Sequence, residues 1–372
     1  MRSHPASTAR TPRDWRGHSD MQVSFIIPLY NCLALTQECL RTLQATLPAG
    51  LTHEIILVDD GSTDGTREWL AGLWPLKGLP GLNYPAVCTS DPALSPVSPC
   101  RVFLHESNRG FAATCNRGAA EAQGEVLFFL NNDLVFQSGW FQPMLAAFTR
   151  FSRAGLVGNV QLNHASGAID HAGVFFNHKG KPEHRISRGW AWRSYRPVLA
   201  VTGACLALRR ATWRQLGGFD VGYHNGCEDV DLALRAQETG LTNYVALPSV
   251  VRHHISASIG RKARDEQNTA RLVSRWRTVI IPRIARHCSR ACLQASWDEP
   301  RNFPDIRLVV DAFFYSARLL PLPPAAIMSA ANASLELELA RWANLLAGAP
   351  DKPVRELAWQ FFPKVPENPP VI

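Results

Sequence analysis

Three acidic stretches carry side chains that could do chemistry: Asp59-Asp60, Asn131-Asn132-Asp133 and Glu228-Asp229. The second closes the apolar run Val126 to Leu130, so a buried strand would deliver one carboxylate and two amides to its carboxyl end. In open parallel α/β sheets ligands lie just beyond such ends, and a carboxylate there can hold a hard cation that grips phosphate oxygens. A polar turn ending a strand is the plain structural alternative. Glu228 and Asp229 open a helical stretch, CEDVDLALRAQETG, where the helix dipole favours acids and Asp231 can pair with Arg235. Capping explains those charges; Asp229 facing the sheet's carboxyl edge would also serve as a general base toward a hydroxyl. Val250 to Arg252 lead to His253 and His254, and a neutral imidazole there would complete the coordination that Asp133 begins.

Such groups need a sheet to position them. Gln22 to Pro28 is β-branched and aromatic, and after Tyr30 and Asn31 a helical pattern runs from Ala34 to Leu47. Glu54 to Val58 reads as a second strand with helix from Thr66, and Arg101 to His105 as a third. Asn108 to Phe111 lead into a helix from Ala112 to Gln123, capped by Gly124. Alternating strands and helices predict an α/β fold with a mainly parallel sheet. The G-x-G-x-x-G fingerprint of a dinucleotide fold is missing after the first strand. Residues 78–100, rich in Pro, Gly and Ser, predict an irregular insertion. Gly158 to Phe176 reads as short strands with polar turns, and His164, Asp170, His171 and His178 lack metal-ligand spacing. Pro197 to Arg209 reads as one strand whose small pair Gly203 and Ala204 would let a bulky ligand reach the backbone. From Asn268 the chain turns helical, with a stripe of Leu272, Trp276, Ile280, Ile284 and Cys288, and a later helix from Ala325 to Leu346.

Composition narrows the class. Net charge is +8, and between Arg252 and Arg290 ten Lys/Arg stand against two Asp/Glu. That excess suits a pyrophosphate, an anionic lipid surface or nucleic acid. Nine cysteines without a C-x-x-C pair indicate neither a disulfide scaffold nor a zinc site, and point to a reducing compartment, the cytoplasm. Apolar runs stop short of membrane-spanning length; the closest, Leu308 to Leu322, contains Asp311 and Arg318. Residues 1–20, Arg- and Ser/Thr-rich without an apolar core, read as a disordered extension rather than a secretory signal.

The motifs IIPLYN, VDDGSTDGT, NRGFAATCNRG, FLNND, TGACLALRR, GGFD, EDVDLALR and VVRHH follow in that order between about Val23 and Gly260. Together they resemble the family 2 glycosyltransferases of the GT-A fold, inverting enzymes that use nucleotide sugars. The resemblance implies a GT-A type, Rossmann-like α/β domain over 21–262, a mainly parallel sheet flanked by helices, with a C-terminal helical region over 263–372. It makes Tyr30 the stacking partner of the nucleotide base, near Pro28 and Asn31, and Asp60 the acceptor of the base's imide hydrogen. Asn108, Arg109 and Asn116 would line the nucleotide pocket. Asn131 to Asp133 takes the place of the family's D-x-D, and an asparagine at its first position is similar to the rhamnosyltransferase-like subset. Asp133 keeps the metal-binding position for Mn²⁺ or Mg²⁺, His253 matches a metal-ligand histidine of some members, and Glu228-Asp229 matches the acidic pair whose second member is the base.

The implied reaction moves a sugar from a nucleotide diphosphate, dTDP-rhamnose or a UDP-sugar, to a hydroxyl of a glycan or lipid-linked glycan, at the inner face of the membrane. Peripheral membrane contact would come from the basic C-terminal helices. Arg271 to Trp276 departs from the Q/R-x-x-R-W of processive synthases by one residue between the arginines, which disfavours polymer synthesis. The alternative is a non-catalytic nucleotide-sugar or glycan-binding module, supported by the degenerate Asn131. A nucleotidyltransferase would need a Gly-rich, basic loop where IIPLYN stands. Nucleic acid is not the expected partner; binding through the basic helix would show as salt-sensitive retention without sequence preference.

Overall fold

The computed structural model describes residues 22–73, 100–177, 179–188, 193–254, 264–298 and 306–348. The expected extension over 1–20, nearly all of the expected insertion, and His178 lie outside them. Two compact units are present: the first takes in the chain up to Val174 and His184–Gly260, the second Phe175–Glu183 and the chain from Arg261.

In the first unit β1 (Val23–Leu29) lies between β2 (His53–Asp59) and β4 (Val126–Leu130), with β3 (Cys100–Leu104) beyond β2, all parallel. The connections carry α1 (Leu33–Thr46), α2 (Thr66–Leu73) and α3 (Phe111–Glu121). Every residue of β4 is buried, as its uninterrupted apolar run requires of a strand covered on both faces. Beyond β4 the direction changes. β11 (Cys205–Arg209) runs antiparallel between β4 and β6 (Ala154–Asn163), and β12 (Thr242–His253) runs parallel to β6. β10 (Tyr195–Val198) borders β12, while the short β5 (Leu134–Phe136) and β7 (Ile169–His171) pair with β12 and β6. Pro248 sits inside β12 where the pairing shifts register between Ala246 and Val250, a bulge that needs no N–H from it. One face of the sheet packs on α4 (Phe141–Arg150) through Phe25, Phe128, Trp140 and Phe141, with Phe25 and Phe128 ring centroids 5.4 Å apart.

Three sequence expectations change. Pro197 to Arg209 is two strands: Leu199 to Ala204 carries the chain from the β10 edge to the middle of the sheet. The region from Gly158 is dominated by β6, ten residues long and already begun at Ala154. Gly124 is not the cap of α3, which ends on Ala122. It is glycine because a Cβ there would lie 2.4 Å from the backbone nitrogen of Ser24 in β1.

The described cysteines are all free thiols, and burial pushes those of Cys39, Cys115 and Cys205 far above the usual range, so they act as small core residues.

The second unit is built on α7 (Asp265–Asp298), which packs on α8 (Ile306–Ser316) and α9 (Ala325–Leu346). The Leu272, Trp276, Ile280, Ile284 and Cys288 stripe is buried. The helix departs from helical geometry at Trp276 (φ −106°, ψ 21°) and contains Pro282, whose carbonyl accepts the Tyr315 hydroxyl at 2.9 Å. Glu266 receives Lys181 and Arg341. On α8, Ala312 and Tyr315 face the core while Ile306, Val310, Phe313 and Phe314 are exposed. Among the described residues no helix is long and apolar enough to cross a membrane.

Candidate active site

The loops after β1, β2 and β4 are sewn together at the carboxyl edge of the sheet. Asn31 and Cys32 adopt the left-handed region (φ 55° and 61°) between β1 and α1. The Asn31 N–H donates to Ser62 Oγ at 2.8 Å, and Asn31 Oδ1 accepts the Thr63 N–H at 2.7 Å. Asn132 reaches back to this turn, donating to Thr36 Oγ1 at 2.9 Å. Tyr30, the residue before Asn31, is 43% exposed. Pro28, still inside β1, is paired with Val58.

Asp60 anchors the next loop. Its two carboxylate oxygens accept the backbone N–H groups of Arg109 and Gly110, each at 2.8 Å, and His105 Nδ1 donates to Oδ1 at 2.8 Å. The carboxylate expected to face a base is thus first of all the clamp of the loop carrying the exposed Asn108 and Arg109. Gly61 permits this closure: its φ is 85°, and a Cβ would come within 2.8 Å of the Asn108 nitrogen. Asn116, expected in the nucleotide pocket, instead has both ends of its amide bonded to the Phe219 backbone at 2.9 Å. It holds the loop after α5 (Arg210–Leu216), and its amide serves the fold.

Segment 203–204 joins the two remaining acidic centres. Ala204 O accepts the Asn131 N–H at 2.8 Å, while the Gly203 N–H donates to Asp229 Oδ2 at 2.6 Å. The close approach at Gly203, expected of a ligand, is made by the protein: a Cβ there would meet the Phe111 ring at 3.2 Å and Asp229 Cβ at 3.5 Å. Asp229 lies at the start of α6 (Glu228–Glu238), half-buried, with Oδ1 accepting the Val230 N–H at 2.7 Å. Glu228 is buried, and its Oε2 accepts the Gly226 N–H at 2.7 Å, so it holds the turn that aims Asp229. Arg235 pairs with Asp231 one turn on, as the spacing implies.

Asp133 and His253 meet where β4 and β12 end. His253 Nε2 is 3.2 Å from Asp133 Oδ1, yet the pair lacks hydrogen-bond geometry, and Asp133 Oδ1 and both His253 ring nitrogens remain buried without a hydrogen-bond partner. A buried carboxylate oxygen and imidazole nitrogen left unsatisfied side by side are what a divalent cation would use, so the residues fit the expected metal. Among the described residues no group of three or more His, Cys, Asp or Glu could hold a metal. The remaining ligands would come from donor phosphates and water, as hard cations in phosphate sites commonly take them.

Four residues here were given no functional role by the sequence, although His105 and His171 were named in it. His105 ends β3 beside Asp60, and Asn225, whose Oδ1 accepts the Phe111 N–H at 3.0 Å, caps α3 from a distant loop. His171 is fully buried; its Nε2 accepts the Gly173 N–H at 3.1 Å and the Thr202 N–H at 3.4 Å. Burial, reinforced by His184, His253 and Arg196, drives its pKa well below the ordinary histidine range. Gln161 is fully buried on β6. Its signal was legible: a polar side chain within the run AGLVGNVQL.

The family model of glycosyl transferase family 2 matches residues 24–81 and 89–213, which hold Tyr30, Asp60, Asp133 and segment 203–204, while Asp229 and His253 lie beyond it. The chain belongs to glycosyl transferase family 2. It is 31% identical over 250 residues to the O-antigen biosynthesis protein RfbC of Myxococcus xanthus, covering 64% of this chain and 18% of that one. It is 27% identical over 233 residues to the N-acetylglucosaminyl-diphospho-decaprenol L-rhamnosyltransferase of Mycobacterium tuberculosis, covering 56% of this chain and 68% of the relative. The chain spans less than a third of the Myxococcus protein and of an uncharacterized Sinorhizobium fredii protein, 18% and 28% of their lengths. Among solved structures, GalNAc-T7 with UDP, GalNAc and Mn²⁺ superposes with a TM-score of 0.54 at 16% identity, over 90% of this chain and 59% of that one. The fold of this family 2 chain is accordingly the GT-A fold.

Proposed function

We propose that this chain is an inverting glycosyltransferase that moves a sugar from a nucleoside diphosphate to a hydroxyl of a glycan or lipid-linked glycan. The observation that carries the reading is the convergence on segment 203–204: one residue binds the strand leading to Asp133, and its neighbour binds Asp229. Tyr30 offers its exposed ring to the base, with Pro28, Asn31 and Asp60 behind it and Asn108 and Arg109 at the rim. Asp133 and His253 would hold Mn²⁺ or Mg²⁺, which when bound supplies positive charge to the leaving diphosphate. The amides of Asn131 and Asn132 flank that position.

Asp229 accepts the proton of the acceptor hydroxyl as its oxygen attacks the anomeric carbon from the face opposite the diphosphate. The anomeric C–O bond breaks as the new one forms, and the nucleoside diphosphate leaves with the electron pair. The two backbone N–H groups on Asp229 fix its orientation without a covalent intermediate. The mycobacterial relative's name favours a rhamnosyl donor and a lipid-linked glycan acceptor, and the Myxococcus name favours a role in building an O-antigen.

The test is a thermal-shift and donor-hydrolysis screen against dTDP-rhamnose, UDP-glucose, UDP-galactose, UDP-N-acetylglucosamine and GDP-mannose, with and without Mn²⁺. Metal-dependent stabilisation by one donor is expected. Binding of glycan without any turnover, with acceptor supplied, would instead favour a non-catalytic module.

We infer in addition that α8 meets an anionic lipid surface. Ile306, Val310, Phe313 and Phe314 form one outward stripe at helical spacing, 78%, 45%, 54% and 41% exposed, on a helix whose other side is already packed. The arginine-rich unit around it supplies the complementary charge. Flotation with vesicles containing anionic lipid should retain the protein and lose it on Phe313→Ser with Phe314→Ser; equal retention of both proteins would sink the idea.

A further inference from the structure

The carboxyl ends of β6 and β7 hold polar groups that the reaction above leaves unused. Gln161 is fully buried, and neither its amide oxygen nor its amide nitrogen has a hydrogen-bond partner. An apolar side chain would fill the same place without the desolvation penalty. Across the sheet Gln161 is paired with His171 on β7 and with Val251 on β12, two residues before His253. Paired residues, and residues two apart on a strand, share a face, so Gln161, His171 and His253 stand on one side of the sheet. The His171 ring spends Nε2 on the N–H groups of Gly173 and Thr202, which leaves the proton on Nδ1. That Nδ1 is buried and has no acceptor.

Their position is defined by backbone. The Thr202 N–H points to His171 and the next N–H, of Gly203, to Asp229, so the imidazole and the proposed base are held by successive residues. On the other side His253 adjoins Asp133. An amide offering both a donor and an acceptor, beside an imidazole N–H, matches sugar hydroxyls, each of which donates and accepts. If Asp133 and His253 lie beside the diphosphate, the ring next to them is the one joined to that diphosphate.

We propose that Gln161 and His171 bind hydroxyls of the sugar being transferred and thereby select the donor sugar. This rests on the donor-site reading above. In Gln161→Met, which keeps length and volume, affinity for the free nucleoside diphosphate should stay within about twofold of wild type. The same substitution should lower kcat/KM for the preferred nucleotide sugar by about 10- to 100-fold, the usual cost of losing hydrogen bonds to a substrate. It should also compress the preference over a donor deoxygenated at one ring position, because a site built to bond a hydroxyl discriminates most against its absence. Should the Met variant fail to fold, Gln161→Asn, which retains the amide one methylene short, is expected to change the ranking of donors.

An unchanged donor ranking with unchanged kcat/KM in both variants would overturn the proposal, as would an effect confined to the KM of the acceptor. A wild-type protein that binds no nucleoside diphosphate would overturn the donor-site reading, and this proposal with it. Wild-type nucleotide binding with indifference to Gln161 would overturn this proposal alone.

Discussion

The two sides of the sheet differ in how fully they satisfy their buried polar groups. Around β1 to β3, Asp60 has a donor on each oxygen and Glu54 collects Ser24, the Gln123 N–H and Arg101, while Asp59 gathers Arg67 and the Gly61 and Ser62 N–H groups on Oδ2 and leaves Oδ1 without a partner. Around the ends of β4, β6, β7 and β12, Asp133 Oδ1, the Gln161 amide, His171 Nδ1 and both His253 nitrogens have no hydrogen-bond partner. Satisfied groups close loops and hold them still; unsatisfied ones cost stability unless a ligand completes them. The contrast separates carboxylates taken up by the scaffold, such as Asp60 and Glu54, from Asp133, whose Oδ1 is left without a hydrogen bond although Asp60 and Asp133 both follow a strand.

The largest effect expected is on turnover. Asp229→Asn should lower kcat by about 100-fold or more, in the range that loss of a general base costs, while nucleoside diphosphate affinity is kept. Wild-type turnover in that variant would remove Asp229 from the base role. On the same side of the sheet, Asp133→Ala should abolish the Mn²⁺-dependent part of donor-induced stabilisation, worth about 2.7 kcal/mol at a hundredfold excess over Kd. Retained Mn²⁺ dependence in a thermal melt would move the metal elsewhere.

On the opposite side, Asp60→Ala should destabilise the ligand-free protein by about 2–4 kcal/mol, since it strips charged hydrogen bonds from the Arg109 and Gly110 backbone. A denaturant midpoint equal to wild type would break the contrast between scaffold and substrate carboxylates.

The smallest effect is a pH dependence. Burial alone would raise the Glu54 pKa, but hydrogen bonds from Ser24, Gln123 and Arg101 outweigh it and hold the value below the usual 4.5. A depressed folded-state pKa stabilises the protein fully above the unfolded value and loses that contribution as pH falls through the folded one. Wild type should therefore lose Tm more steeply than Glu54→Gln below about pH 4.5, the ordinary glutamate range. Parallel curves would show that Glu54 adds no linkage.

Much of the fold was legible because its signals are local. Val126 to Leu130 and Ile55 to Val58 are short apolar runs of the kind a strand buried on both faces shows, and Glu228 to Glu238 shows its acids and its Asp231–Arg235 pair at helical spacing. Pro197 to Arg209 was not, because an apolar run says nothing about which neighbour each half will find, and its halves lie at different places in the sheet. Asn116 was assigned to the ligand for a similar reason: its partner Phe219 is 103 residues away.

By itself the sequence determined the family, the order of strands and helices, and the side chains available for chemistry, since motif spacing and hydrophobic period are properties of the chain. Only tertiary structure decided their use. Whether a carboxylate is consumed by a backbone N–H or left open depends on loops brought together from far apart, as Asp60 is closed by residues 49 and 50 positions later while Asp133 meets His253 without a bond. Burial then turns that difference into energy, because a polar atom removed from water must find its partner in the protein or in what the protein binds.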